Sequence, residues 1–180
     1  ARIWLWSVNV RQNDKSFETD MCVADPILFE IFDFPFVKGS LETAFQNPTD
    51  IAITESMAQR FFGDKDPIGQ SLTIESAHLG GERTVSAVLK DLPLNATFRF
   101  DYVTTSVSTE GGRKGWENWR PIQGWRPVQT YFLLQEGANI KSLEAKMPDL
   151  ITRYMGKEIQ ESNTYHLQPL NRIYLYSNQD

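Results

Sequence analysis

The sequence contains few of the residues that bind metals or carry covalent chemistry. Cysteine occurs once, at Cys22, and histidine twice, at His78 and His166. A single cysteine excludes an internal disulfide and a zinc site built from cysteines. The two histidines are far apart in the sequence and match neither HExxH nor HxH spacing. We therefore predict no metal site and no cofactor.

Motifs for catalysis and nucleotide binding are also missing. The sequence has no GxSxG motif, no GxxxxGK[ST] loop and no GxGxxG fingerprint. Asp64 and Asp66 in GDKDP come nearest to a carboxylate pair, but the residues after them do not supply the further oxygen ligands of a calcium loop. We interpret both acids as turn residues and predict that the chain is not an enzyme.

Long apolar runs and basic runs are absent as well. No apolar stretch approaches the about 18 residues that a membrane-spanning helix needs, and no run of Lys or Arg is longer than the pair at 113–114. The formal net charge is -5, which is unlike the basic surface of a nucleic-acid-binding protein. We predict a soluble chain that has no nucleic-acid partner.

What the sequence does contain is typical of a folded domain. Its 180 residues are 41% hydrophobic and 23% charged, values close to the average of globular domains. Apolar and polar residues alternate over residues 4–8 and again over residues 17–23, and the polar stretch RQNDKS separates them. This pattern predicts two strands joined as a hairpin.

Several helices follow from capping and breaking residues. Asp25 followed by a proline predicts the start of a short helix that ends near Phe32, and LETAFQNP predicts another helical turn. Asp50–Ile53 reads as a strand that leads into a helix capped by Thr54 and stopped by Gly63.

The rest of the chain predicts more strands than helices. The predicted strands are Ser71–Ile74, Thr84–Lys90, Phe98–Thr104, Val128–Leu134, Tyr165–Leu170 and Ile173–Tyr176. Asn139 should cap a late helix, which Pro148 should kink or split. The apolar face predicted for that helix contains Ile140, Leu143, Met147, Leu150, Ile151 and Tyr154. Strands interspersed with helices favour an α+β fold with layered sheet and helix.

A segment rich in Gly and Trp, STEGGRKGWENWRPIQGWRP, fits no regular element, and we interpret it as a loop or extended insertion. It contains Trp116, Trp119 and Trp125. Aromatic residues on loops often anchor partners, lipids or sugars, so these three are candidate partner contacts. Alternatively, they close a small satellite core.

The stretch ITESMAQRFFGDKDPIGQSLTI resembles the signature of the MacB-like periplasmic core domain of FtsX-like ABC transporter permeases. In that family a strand ends in a TE turn, a helix carries an FG ending, and a dPiG turn leads into the next strand. The matching residues are Thr54, Glu55, Ala58, Phe62, Gly63, Asp66, Pro67, Ile68, Gly69 and Leu72. Gln70 stands where the family more often has Lys.

Three further blocks, in the same order along the chain, also resemble the family. They are DPILFEIFDFPFVKGS, TVSAVLKDLPLNATFRFDYVTTS and TYFLLQEGANIKSLEAKM. Ala87 and Ala96 replace the family's usual Gly and Ser. The resemblance covers most of the chain from Asp20 to Tyr176.

The resemblance implies a domain on the periplasmic side of the bacterial inner membrane, inserted between the first two transmembrane helices of a permease. It implies two lobes, a porter-like α/β lobe over residues 1–70 and 128–180 and an inserted β-rich lobe over residues 71–127. On this interpretation Thr54 and Gly63 bound a scaffold helix, while Asp66, Pro67 and Gly69 turn the chain towards the next lobe.

Family members generally have another strand and helix before the segment matched by ARIWLW. We therefore expect the sequence to begin inside the domain and to leave an unpaired sheet edge, which is a route to dimers or domain swapping. The partners that the resemblance implies are an ABC ATPase subunit or domain acting through the transmembrane region, a second permease copy and a periplasmic partner. The domain would be tethered to the membrane.

The favoured hypothesis is a non-catalytic domain that transmits ATP-driven conformational change across the membrane, in efflux or in lipoprotein or peptide handling. The alternative is an extracytoplasmic ligand-sensing module that binds a peptide or a lipid. A secreted hydrolase is a third hypothesis, and the shortage of histidine and the missing nucleophile motifs disfavour it. No residue selects among the cargoes of the family.

Overall fold

A computed structural model of the chain describes residues 1–76, 80–105 and 128–173. The chain divides into two compact units. The first comprises Ala1–Trp119 and Arg126–Phe132, and the second comprises Arg120–Trp125 and Leu133–Asp180. Among the described residues, the first unit contains the strands and three short helices, and the second contains the remaining helices.

The elements of the first unit alternate between strands and short helices. Its strands are β1 Arg2–Gln12, β2 Lys15–Ala24, β3 Phe36–Lys38, β4 Asp50–Thr54, β5 Ser71–Glu75, β6 Gly81–Leu89, β7 Tyr102–Thr105 and β8 Gln129–Thr130. Its helices are α1 Leu28–Ile31, α2 Leu41–Ala44 and α3 Glu55–Phe62.

The predicted hairpin is confirmed. β1 and β2 pair antiparallel along their whole length, with Trp4 opposite Val23 and Val10 opposite Phe17. Asn13 in the connecting turn has φ +52, a left-handed conformation that asparagine adopts more readily than most residues. The alternating apolar residues of both strands therefore share one face of the hairpin.

The strands form one mixed sheet in the order β2-β7-β4-β6-β5-β1-β8, with β3 beside β6. The β2–β7 and β4–β6 pairs are parallel, and the other pairs are antiparallel. Because β2 also pairs with β1, the path of strands closes on itself. Together with the helices, this mixed sheet confirms the α+β class.

Strands from both predicted lobes belong to the same sheet. The strands β5, β6 and β7, which fall in the predicted β-rich lobe, pair with β1, β4 and β2 in the same sheet. Within the described residues, the boundary predicted near residue 70 therefore does not divide the sheet.

On the side of β1 that faces away from β2, Arg2 and Ile3 pair with β8, and residues 9–11 pair with β5. At these positions β1 is not an edge strand.

The sheet has an apolar core on each face. On one face Met57, Phe61 and Phe62 of α3 pack against alternate residues of the strands. On the other face Leu28 of α1 and Ala44 of α2 join a cluster rich in phenylalanine, which we call the aromatic cluster. The phenylalanines and the tyrosine of that cluster are Phe29, Phe32, Phe34, Phe36, Phe45, Phe98, Phe100 and Tyr131. Helices and aromatic residues thus cover both sides of the sheet.

The second unit contains α4 Ile140–Glu144, α5 Met147–Met155, α6 Lys157–Ser162 and a 3-10 turn at Leu170–Arg172. Asn139 caps α4 by accepting a hydrogen bond from the Ser142 N–H at 3.0 Å. Pro148 lies in the first turn of α5, so the predicted late helix is split there. Among the described residues of this unit only Ile151 is buried. The described helices include none that is long and apolar enough to cross a membrane.

Several local predictions are wrong. Asp25 is not the cap residue of α1, because the cap position is Ile27 and no side chain there bonds to the helix. The Asp25 carboxylate instead accepts hydrogen bonds from the Arg2 N–H at 2.9 Å and from Arg2 Nε at 3.0 Å. The predicted strand Val128–Leu134 is reduced to β8, and Tyr165–Leu170 contains no strand. In that last segment the Leu167 N–H donates to the Glu144 carboxylate at 2.8 Å instead of to a neighbouring strand.

Two other predicted strands differ in extent. β7 begins at Tyr102, four residues later than predicted, and the buried side chains of Phe98 and Phe100 belong to the aromatic cluster. The predicted strand Ile173–Tyr176 lies outside the described residues except for Ile173, which is in a turn.

Candidate functional site

Side chains that could carry chemistry are dispersed in the part of the chain that the structure describes. No group of three His, Cys, Asp or Glu residues there is arranged to hold a metal ion. Cys22 is buried in the sheet, and its burial strongly raises the pKa of its thiol. His166 is exposed, with Nδ1 4.0 Å from the Glu144 carboxylate, and His78 lies outside the described residues. The motif around α3 is therefore the strongest candidate for a functional role.

Thr54 stands where the helix-capping residue of α3 is expected, but its hydroxyl does not cap the helix. Its backbone is extended, with φ -73 and ψ 159, as at an ordinary cap position. The side chain makes no hydrogen bond to the helix, and the hydroxyl is buried with no partner among the described residues. The predicted side-chain cap is wrong on this point.

Asp91, which follows β6, caps the start of α3 in place of the Thr54 hydroxyl. Its carboxylate accepts hydrogen bonds from the Ser56 N–H at 3.0 Å and from the Ser56 hydroxyl. In return, the Asp91 N–H donates to the Glu55 carboxylate at 3.5 Å. A carboxylate at this position satisfies free N–H groups and lies near the positive end of the helix dipole. We call Glu55, Ser56 and Asp91 the α3 latch.

A lysine from the hairpin holds the opposite end of α3. The Lys15 ammonium donates to the Arg60 carbonyl at 2.8 Å and to the Phe61 carbonyl at 2.9 Å, which places a positive charge at the negative end of the helix. Gly63 ends the helix with φ +61, a conformation that glycine adopts without strain. Side chains from two distant segments thus fasten both ends of α3.

The turn after α3 is also tied to the sheet. Asp66 accepts hydrogen bonds from the Ile68 N–H at 3.2 Å and from Lys38 Nζ at 3.1 Å, and these bonds lower the pKa of its carboxyl group. Pro67 is buried. Gly69, with φ +79, donates its N–H to the Val85 carbonyl at 2.8 Å. Within this segment Asp66 therefore makes the contacts of a turn residue.

The three candidate partner-contact tryptophans, Trp116, Trp119 and Trp125, lie outside the described residues, and their role stays a prediction. Sequence reasoning missed Asp91 and Lys15. One available signal was an acidic residue placed directly after a predicted strand, at the start of the DLP stretch. No local pattern indicated which helix that acid would reach.

The fold and these contacts define a mixed α+β domain in which the motif residues fasten structural elements to each other. Residues 2–150 match the MacB-like periplasmic core domain family. The chain belongs to this family, whose members are extracytoplasmic domains of ABC transporter permeases that work with ATPase subunits.

Solved structures show the same fold at low sequence identity. A domain assigned to a permease of Porphyromonas gingivalis aligns with a TM-score of 0.71 and 19% identity, over 97% of this chain and 78% of that one. The periplasmic region of MacB from Actinobacillus actinomycetemcomitans aligns with a TM-score of 0.58 and 13% identity, over 97% and 73% of the two chains.

A third solved structure comes from Gram-positive bacteria. The extracellular domain of the noncanonic ABC-type transporter YknZ aligns with a TM-score of 0.52 and 13% identity, over 84% of this chain and 74% of that one. No curated protein matches the sequence.

Proposed function

We propose that this domain is a non-catalytic element that transmits conformational change from an ATP-driven permease to a substrate or partner outside the membrane. The observation that carries the proposal is the fastening of α3, which is held at both ends and packed against the sheet through Met57 and Phe61. Transmission of motion needs such well-packed bodies and does not need an acid and a base.

The proposal includes the partners that the family implies. An ABC ATPase would drive the permease, a second copy of the permease would form a dimer, and a periplasmic partner would receive the motion. The two compact units give the domain bodies that could change their relative position.

Distance measurements in the whole permease, in a bilayer with its ATPase, test the proposal. Spin labels attached at Leu94→Cys and Tyr154→Cys would report the distance between one exposed site in each of the two units. We expect their distance to change when ATP is added, and to stay constant when the ATPase carries a substitution that prevents ATP binding. The native Cys22 is buried and should remain unlabelled.

A second pair of spin labels, with both labels within the first unit, controls for distance changes that arise from loss of structure in that unit. Labels at Leu94→Cys and Glu75→Cys should keep one distance throughout, because both sites belong to the same compact unit. Unchanged distances between the units during sustained ATP hydrolysis would refute the proposal. Tight binding of a peptide or lipid that is lost in Trp116→Ala, with the fold intact, would support ligand sensing instead.

A further inference from the structure

The α3 latch joins two segments that are 35 residues apart in sequence. One is the turn from β4 into α3, and the other is residues 91–101 of the connection from β6 to β7. The bonds run in both directions, because Asp91 accepts from Ser56 while the Asp91 N–H donates to Glu55. A reciprocal arrangement of this kind resembles a capping box, but it is built here from two separate segments.

The far end of the 91–101 connection is fastened as well. The Asp101 N–H donates to the Asp20 carbonyl at 2.8 Å, and its carboxylate accepts from the Thr19 hydroxyl. Phe98 and Phe100 are buried in the aromatic cluster. Between the latch and these contacts lies Leu94, whose side chain is 85% exposed. The connection is therefore held at both ends and presents an exposed tip.

We propose that the α3 latch fastens α3 and the 91–101 connection into one body, so that the tip at Leu94 moves together with α3 when the first unit moves. The inference rests on the proposed function only for the origin of that movement. The buried hydroxyl of Thr54, which has no partner among the described residues, supports it. The helix end that Thr54 would otherwise cap is held by Asp91.

Amide hydrogen exchange measured by NMR on the 180-residue chain tests the latch. The informative probe is the Ala96 N–H, whose acceptor is the Pro93 carbonyl at 3.0 Å and not a latch residue. In Asp91→Ala we expect faster exchange at both Ser56 and Ala96. The increase should be about 2- to 30-fold, which is the factor that corresponds to the loss of a helix cap.

Glu55→Ala provides a second, independent variant. It removes the acceptor of the Asp91 N–H and leaves the acceptor of the Ser56 N–H in place, so Ala96 should again exchange faster. Lys15→Met is the matched control, because it releases only the other end of α3 and should leave Ala96 unchanged. The Asp101 N–H should stay protected in all three variants, since its acceptor is Asp20.

An unchanged Ala96 rate in both Asp91→Ala and Glu55→Ala would overturn the proposal, whether or not Ser56 exchanges faster. Faster Ser56 exchange alone would mean that Asp91 caps the helix and does not restrain the connection. If Asp91→Ala fails to fold, Asp91→Asn gives the same comparison with a weaker acceptor. These measurements need neither ATP nor a membrane, so their outcome is independent of the distance test of the proposed function.

Discussion

Replacing Thr54 by valine removes one hydroxyl and keeps the branched shape of the side chain. The residue is 3% exposed, and its hydroxyl has no hydrogen-bond partner among the described residues. A buried polar group without a partner costs about 1–3 kcal/mol. We therefore expect Thr54→Val to leave the free energy of unfolding unchanged or to raise it by about 1 kcal/mol. If Thr54 capped α3, the same change would cost about 1 kcal/mol.

Asp91→Ala is the complementary perturbation. It removes the acceptor of the Ser56 N–H and of the Ser56 hydroxyl. The loss of a helix cap costs about 0.5–2 kcal/mol, typically about 1 kcal/mol. The Asp91 side chain is exposed, so the variant should leave no buried charge without a partner. We expect a clear loss of stability in Asp91→Ala, although this residue is distant in sequence, and no loss in Thr54→Val, although Thr54 stands at the cap position.

Urea unfolding followed by circular dichroism measures both changes. With the slope of the transition unchanged, a shift in the midpoint converts directly into a change in the free energy of unfolding. The hydroxyl and the carboxylate share no hydrogen bond among the described residues, so the two single variants report on separate contacts. A destabilised Thr54→Val combined with an unaffected Asp91→Ala would refute the assignment of the cap.

Three further predictions, on Phe61, Cys22 and Asp66, test other parts of the structure. Phe61→Ala should lower the free energy of unfolding by about 3–5 kcal/mol, because Phe61 is 3% exposed and its ring packs edge-on against that of Phe17, with the ring centroids 5.2 Å apart. Its control is Leu94→Ala, at an exposed tip, which should change the free energy of unfolding by less than about 0.5 kcal/mol in the same assay. Cys22 should resist a thiol reagent until urea unfolds the chain, since burial raises the pKa of its thiol and disfavours the reactive thiolate; rapid labelling of the native chain would contradict its placement. The pKa of Asp66 is lowered below its ordinary value of 3.8. The ionised Asp66 carboxylate therefore adds to the stability of the fold above that pH, and this added stability is lost as the pH falls through the lowered pKa. Asp66→Asn should therefore flatten the acid limb of the stability curve, and an unchanged acid limb would argue against the Lys38 and Ile68 contacts.

Local patterns predicted the elements that depend on neighbouring residues. The hairpin of β1 and β2 follows from alternation on both sides of a polar turn, and α3 follows from its apolar stripe and from Gly63. These signals are local because a helix makes its backbone hydrogen bonds within itself and a hairpin pairs adjacent segments. The resemblance to the family added the order of the blocks along the chain, which composition and periodicity do not supply.

Elements that depend on distant partners were predicted less well. Val128–Leu134 has the composition of a strand, yet only Gln129 and Thr130 pair with β1. Tyr165–Leu170 alternates like a strand, but the backbone of Leu167 bonds to a glutamate side chain. A strand exists only where another strand offers its backbone, and a sequence pattern cannot show whether that neighbour is present. The pairing of β4 with β6 and β7 depends on the same non-local information.

The α3 latch gives a structural role to acids in a stretch that has a motif-like appearance. The TE turn before α3 and the KDLP stretch after β6 are separate blocks of the family resemblance, and Glu55, Ser56 and Asp91 bring them together. Asp66 likewise ties the turn after α3 to β3 through Lys38. Each of these carboxylates accepts a backbone N–H, a contact that fixes the position of a segment. The acids at these positions therefore hold α3 in place, which is the property that the proposed transmission of motion requires.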